Sequence, residues 1–258
     1  MNSEWRTRYD VAIDAALQAG RLALSYFDNG IDVEWKGDNS PVTVADRNAE
    51  QVVRRVVAKA FPNDGFVGEE FGDQPGTSGY RWIIDPIDGT RSFVRGLPLW
   101  ATLIGVEYQG EQVIGVCYIP AFDQTFHALK GNGAYRDAKR IRVSDVTVMK
   151  ESLLCYSSLS WFMRAGRLDD FLRVYQAVQR QRGYGDFYGF VMVAQGAADI
   201  MIEYGVHPWD VAATKVIIEE AGGMFTDWDG TPTIYRHDVM ASNGKLHAES
   251  LQMLRPIG

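Results

Sequence analysis

The chain has 258 residues, 46% of them apolar and 23% charged, enough for one large domain or two closely packed halves around a substantial core. Its formal net charge of −7 argues against a nucleic-acid partner, which calls for a concentrated basic patch. The opening Met1-Asn2-Ser3-Glu4-Trp5-Arg6 leads into no apolar run of the signal-peptide kind, and no stretch is long enough for a membrane span. The expected compartment is the cytoplasm, with no membrane partner. Cys117 and Cys155 stand among apolar neighbours outside any CxxC spacing, so they read as buried thiols rather than zinc ligands or a disulfide framework.

Residues 5–27 read as a helix, with Trp5, Ala12, Ala15, Ala19, Ala23 and Tyr26 at roughly helical spacing. A clearer helix runs from about 44 to 61, where Ala49, Val52, Val53, Val56, Val57, Ala60 and Phe61 make one apolar stripe between a Thr43 N-cap and a Pro62 stop. Strands follow at Phe66-Val67 and at 81–84. From about 99 to 156 the chain is β-rich, with hairpin turns at Tyr108-Gln109-Gly110-Glu111 and Gly131-Asn132-Gly133. Helical spacing returns at Leu168, Phe171, Leu172, Tyr175 and Val178. A helix near 187–195 precedes a strand over 199–204, and a last helix runs from near Pro208 to Gly222-Gly223, followed by a strand from about 224. Helices and strands thus mix throughout, which predicts layered α and β structure rather than a bundle or a pure sandwich.

Three segments carry candidate chemistry: Gly68-Glu69-Glu70, Asp85-Pro86-Ile87-Asp88-Gly89-Thr90 and Pro208-Trp209-Asp210. Each places a carboxylate where a strand ends or a helix begins, which is where ligands gather in α/β proteins. In the second segment, Pro86 restrains a turn in which Asp85, Asp88 and the Ile87 carbonyl can converge on one point. Gly89 allows close backbone approach, and the free N–H groups of Gly89 and Thr90 would form an anion site if a helix starts there. The all-oxygen donor set suits Mg²⁺, with Mn²⁺ as a substitute. Zinc would call for His or Cys, and His127, His207, His237 and His247 show no ligand pairing; His207 alone lies near Asp210. On turn chemistry alone, 85–90 also reads as an inert loop, Glu69-Glu70 as a solvated strand end, Asp210 as a complement to its helix dipole and Asp46 as part of a helix cap.

Taken together, and with Lys36, Ser40-Pro41-Val42-Thr43-Val44-Ala45-Asp46 and Glu219-Glu220-Ala221-Gly222-Gly223, these segments resemble the inositol-monophosphatase family of Mg²⁺-dependent, lithium-sensitive phosphatases over nearly the whole chain. The resemblance implies an α/β layered αβαβα sandwich: one phosphatase domain over 1–258, with halves of about 1–145 and 146–258 and the active site between them. It implies up to three metals. Glu69, Asp85, the Ile87 carbonyl and Thr90 would surround the first, and Asp85, Asp88 and Asp210 the second. Asp46 would orient Thr90, Glu69 and Thr90 would position the attacking water, and the Gly89 and Thr90 N–H groups would hold the phosphate. A homodimer is expected on the same ground.

Inositol monophosphatases commonly carry a Gly-Ser/Thr-Ala-Ala type segment before the helix near 190, whereas this chain has Gly185-Asp186-Phe187-Tyr188. That segment, with the run from Thr90 to Ile104, is similar to the histidinol-phosphate phosphatase branch. A carboxylate at Asp186 would favour a cationic leaving group over a neutral polyol. Glu203 matches an acid that contacts substrate in the family, while Asp186 also reads as a helix cap. Three functions are therefore expected in order: hydrolysis of the small-molecule monoester histidinol phosphate, a broader inositol- or sugar-phosphatase activity, and metal or phosphate binding without turnover.

Overall fold

The computed structural model describes residues 3–29, 33–35 and 41–255, with backbone alone for 33–35 and 41–43. Lys36, Ser40 and the capping side chain expected of Thr43 lie outside the described residues. Helix α1 (Ser3–Asn29) buries Ala12, Ala15, Ala16, Ala19 and Ala23, small side chains that let it lie close to its neighbours. Strands β1 (Val33–Trp35) and β2 (Pro41–Thr43) form a short antiparallel pair, and α2 (Val44–Ala60) buries the expected stripe of Ala49, Val52, Val53 and Val57.

Next come β3 (Gly65–Gly68), β4 (Gly72–Gln74), β5 (Tyr80–Asp88) and the short α3 (Thr90–Val94). The meander β6 (Ala101–Tyr108), β7 (Glu111–Ile119), β8 (Gln124–Leu129), β9 (Ala134–Arg136) and β10 (Lys139–Ile141) completes an eight-stranded sheet in the order β10-β9-β8-β7-β6-β5-β3-β4, in which only β3 and β5 run parallel. The β6–β7 turn places Gln109 and Gly110 at φ 52° and 87°, the left-handed backbone that a two-residue hairpin requires.

The remaining elements are β11 (Leu153–Cys155), α4 (Leu159–Arg164), α5 (Leu168–Ala177), β12 (Arg180–Arg182), α6 (Asp186–Ala194), β13 (Ile200–Tyr204), α7 (Pro208–Glu220), β14 (Met224–Thr226), β15 (Asp238–Ser242) and α8 (His247–Leu254). Their five strands form a second sheet, β12-β11-β13-β15-β14, with β11 parallel to both neighbours.

Three apolar clusters tie these parts into five layers. The first joins α1 and α2 to one face of the large sheet. The second fills the space between the two sheets around α6 and α7, and the third joins the outer face of the small sheet to α4, α5 and α8. This is the expected αβαβα sandwich. Both cysteines are buried in its central cluster.

Two local features set the position of the candidate site residues. Gly105 and Gly115 face each other on β6 and β7, and a Cβ on Gly115 would lie 2.1 Å from the Ala213 carbonyl oxygen. This glycine platform lets α7 lie directly on the large sheet. The second feature corrects an expectation. Strand β5 does not end at residue 84 in a proline turn; it continues through Pro86 to Asp88. Its partner β3 stops pairing at Ile84, and the register with β6 shifts between Asp85 and Asp88. Proline is tolerated there because one side of the strand has become an edge and no ladder donor is needed from it. On the other side, the Thr102 hydroxyl donates to the Pro86 carbonyl at 2.9 Å.

Candidate active site

The ends of the two sheets and the N-termini of α6 and α7 enclose a cleft of about 460 Å³. It gathers Glu69, Asp85, Ile87, Asp88, Gly89, Thr90, Asp186, Glu203 and Asp210, nearly every candidate read from the sequence. Asp46 is the exception. It is buried in the first turn of α2, behind the cleft wall, and near enough for its charge to act on Asp85.

Asp85 and Asp88 are buried, and one carboxylate oxygen from each lies within 4.8 Å of one from Asp210. Burial pushes the Asp85 carboxyl well above the ordinary range, and the charges of Glu69, Asp88 and Asp210 push it further. Asp88 is raised chiefly by burial, then by Asp186 and Asp210. Such a cluster is costly unless a cation shares it.

Asp210 has two roles in the geometry. Its Oδ2 accepts the His207 N–H at 2.7 Å, closing a capping box, while the carboxylate also faces Asp85 and Asp88. Asp210 thus sits in the first turn of α7, where its helix-dipole reading puts it, and also joins the acid cluster. Within the Asp85–Thr90 segment, the Ile87 N–H donates to Asp85 Oδ1 at 3.1 Å, and the Thr90 hydroxyl donates to the Ile87 carbonyl at 3.0 Å. Gly89 has φ 86°, and a Cβ there would meet the Leu99 carbonyl at 2.8 Å, so glycine is required on both counts. The N–H groups of Gly89 and Thr90 open α3 on the cleft wall, where helix geometry leaves them without intrahelical acceptors. Glu69 lies outside the 4.8 Å set but close enough to act on Asp85, held by its N–H donating to the Ile84 carbonyl at 3.2 Å.

The cleft wall built by α6 and β13, where the Asp186 carboxylate lies beside Gly89, is different in kind. Asp186 adopts φ 53°, rare for a residue other than glycine, and its side chain does not cap α6. Asp88 does so instead, accepting the Phe187 N–H at 2.6 Å. Asp186 is exposed, yet it sits within the cleft walls, and its carboxyl is pushed up to about 6 by its enclosure and by Asp210, with Arg91 opposing. Glu203 is 4% exposed and raised to about 8, chiefly by burial. Its Oε1 accepts from the Ser157 hydroxyl at 2.5 Å, whereas its Oε2 has no partner.

Ser157, Trp161, Arg164 and Arg91 also line the cleft and received no role from the sequence. Ser157 follows β11, whose parallel pairing was the missing signal, since ligands collect beyond such strand ends. Among the described residues, no histidine side chain joins the converging donors of Asp85, Asp88 and Asp210, although His207 Nδ1 lies 3.8 Å from Asp210 Oδ2. His247 is buried between Thr226 and Ser242, His127 lies against Tyr9, and His207 stacks on Trp209 at 4.8 Å on the cleft rim.

A resident divalent cation fits this site on donor chemistry. Six carboxylates line the cleft against two guanidinium groups, those of Arg91 and Arg164, and a phosphate could not approach that charge without compensation. Every converging donor is a hard oxygen, as such a cation prefers. Such an acid-clustered cleft flanked by helix N-termini suits a divalent cation that brings in an anionic ligand such as a phosphate ester.

The chain belongs to the inositol monophosphatase family, whose model matches residues 4–257. Among curated relatives, a histidinol-phosphatase of Streptomyces coelicolor is 42% identical over 87% of each chain, and one of Mycobacterium tuberculosis is 40% identical over 93% of this chain and 94% of its own. Among solved structures, an extragenic suppressor protein suhB from Bartonella henselae superposes with a TM-score of 0.88 at 31% identity, covering 95% of this chain and 97% of its own. An inositol monophosphatase from Anabaena superposes with a TM-score of 0.85 at 32% identity, covering 96% and 95%. Among the described residues, no helix is long and apolar enough to cross a membrane.

Proposed function

We propose that this phosphatase hydrolyses histidinol phosphate to histidinol and phosphate with Mg²⁺, or Mn²⁺ in its place, as a homodimeric cytoplasmic enzyme whose single domain holds the site between its two halves. The observation that carries the substrate is the acidic end of the cleft. There Glu203 presents a carboxylate oxygen without a partner, and Asp186 faces the same space. A leaving group bearing an ammonium and a protonatable imidazole would draw the raised carboxyl of Glu203 into its ionised form and pair with both acids, whereas a neutral polyol offers no compensating charge. Histidinol-phosphatases among the relatives, at 39–42% identity, support the same reading.

Glu69, Asp85, the Ile87 carbonyl and Thr90 would hold one metal, and Asp85, Asp88 and Asp210 a second. When bound, the divalent metal supplies Lewis acidity that neutralises phosphate charge and lowers the pKa of water. The chain's own groups do the rest. Thr90 has committed its hydroxyl hydrogen to the Ile87 carbonyl, so it turns lone pairs toward the attacking water and orients it. Glu69 would accept a hydrogen bond from that water, and the buried Asp46 would orient Thr90 from behind. The Gly89 and Thr90 N–H groups hold the phosphate oxygens in line with the attack.

Phosphate release is to be measured over histidinol phosphate, inositol monophosphate, a nucleotide and a bisphosphate, with and without Mg²⁺. Histidinol phosphate should give the highest kcat/KM, and only with the metal present. A higher value for inositol monophosphate or the bisphosphate would overturn the substrate. No turnover on any of the four would overturn the reading altogether.

A further inference from the structure

We propose that Glu50, on α2, is a positioning residue for the metal site, acting as a strut that holds Glu69 in place. Glu69 needs one. It stands at the tip of the β3–β4 hairpin, just past the final Gly68–Gly72 pair, and β4 is an exposed edge strand. A turn at a sheet edge is ordinarily among the looser parts of a fold, yet this one carries a carboxylate that must meet Asp85 with ligand precision.

Glu50 supplies the missing constraint. It lies one helical turn after Asp46, on the same face of α2, and is fully buried at 0% exposure. Its Oε2 accepts the backbone N–H of Glu70 at 2.8 Å, and its Oε1 accepts Arg54 Nε at 2.8 Å. Arg54 in turn donates through Nη2 to the Gly72 carbonyl at 2.9 Å, on the far side of the tip. The Glu69 N–H is itself held by Ile84. The tip is thus fastened to α2 on both flanks and to β5 at its base.

Gly68 records the same arrangement from the other side. A Cβ at this position would lie 1.9 Å from Glu50 Oε1, so β3 ends in glycine to make room for the buried carboxylate. Burying a carboxylate is expensive unless its lone pairs are used. Here both oxygens accept, one from a neutral and one from a charged donor. A glutamine at this position would retain one acceptor and would turn an N–H₂ toward either Arg54 or the Glu70 N–H, donor against donor.

This proposal rests on Glu69 being a metal ligand, and the test separates the two claims. Glu50→Gln, Gly68→Ala and Glu69→Gln are made in the full chain. Mg²⁺ binding to the metal-free protein is read by titration calorimetry, kcat and KM by p-nitrophenyl phosphate turnover at saturating Mg²⁺, and folding by thermal melting. Removal of a group that orients a ligand weakens metal binding by about 10–100-fold, and that loss is expected for Glu50→Gln, with KM for the ester changed by less than about twofold. Gly68→Ala, which displaces the same carboxylate, should move Mg²⁺ affinity in the same direction and decides the matter if Glu50→Gln does not fold. A folded Glu50→Gln that binds Mg²⁺ as wild type does, while Glu69→Gln does not, overturns the strut alone. Unchanged binding in Glu69→Gln overturns both the ligand assignment and the strut.

Discussion

At the proposed phosphate side of the cleft, Asp85 and Asp88 lie buried on β5, Asp85 hydrogen-bonded within its own segment and Asp88 to the Phe187 N–H of α6. On the wall of α4, α6 and β13, the proposed leaving-group side, Asp186 opens a helix on left-handed backbone, Trp161 projects from the six-residue α4, and Glu203 lies next to the end of β13 with one oxygen unpartnered. The first end is over-determined and the second is only partly committed. That division follows from the chemistry. Phosphoryl transfer depends on positioning charge to fractions of an ångström, while leaving-group recognition depends on which charges and shapes are offered.

The largest effect expected from this contrast is at Asp88. Asp88→Asn should lower kcat by about 10³-fold or more, because an interaction made at the reacting centre is removed, while leaving the chain folded. Turnover near wild type at saturating Mg²⁺ would show that the buried end is not the catalytic one. The next effect concerns the element that joins the two ends. Asp210 reaches Asp85 and Asp88 because α7 rests on Gly105 and Gly115. Gly115→Ala places a methyl 2.1 Å from the Ala213 carbonyl. Overpacking of this kind costs about 3 kcal/mol, a fall in Tm of roughly 6–12 °C for a chain of this size. Mg²⁺ affinity should fall with it, since Asp210 moves as α7 is lifted. An unchanged melting temperature would mean that the helix can slide on the sheet.

How much of this was legible in the sequence differs between the two ends as well. Periodicity located α1, α2, α5 and the hairpins of the large sheet. The end of α7 was visible in Gly222-Gly223, although the helix itself is buried nearly all round and has no polar face. The short α4, β12 and α8 were not foreseen, and α3 entered only as a condition on the Gly89–Thr90 anion site, because elements of a few residues carry too little pattern. Pro86 misled the reading of 85–88 as a turn, since whether a strand has become an edge depends on partners distant in sequence. The acids themselves were visible, but residues alone left Asp85–Thr90 open as an inert loop, and the family resemblance supplied their roles. Glu50 escaped notice because it is contiguous with an apolar stripe, and only the three-dimensional contact with Glu70 shows what it does.

At the leaving-group end the expected effects are smaller and depend on substrate. Asp186→Asn removes the charge while keeping a residue that tolerates left-handed backbone, so it isolates recognition from strain. KM for histidinol phosphate should rise about tenfold, the value of roughly 1.4 kcal/mol in binding, with p-nitrophenyl phosphate changed far less. Equal changes in both would remove Asp186 from substrate recognition and leave it a purely local feature of α6.

The smallest effect is on stability, and it tests whether the uncommitted end carries a cost in the absence of metal and substrate. Glu203 is raised to about 8 by burial, from an ordinary value near 4.5. Across that window the folded chain binds more protons than the unfolded one, so stability falls as pH rises and is regained on acidification. His247 acts in the opposite sense. Its imidazole is lowered to about 4 by burial, so it destabilises the fold as pH drops below its ordinary value of 6.5. The range from pH 6.5 to 8 therefore isolates the acids. In metal-free protein, Tm should rise by about 2–4 °C on going from pH 8 to 6.5, as expected for about 1 kcal/mol in a chain of this length. Asp85 and Asp88 are raised in the same direction, and millimolar Mg²⁺ should suppress any share of theirs by competing with protons. Glu203→Gln should remove what remains. A slope that survives both Mg²⁺ and Glu203→Gln would locate the proton uptake elsewhere, and the unpartnered oxygen of Glu203 would then have to be satisfied in the free protein rather than held open for a cationic substrate.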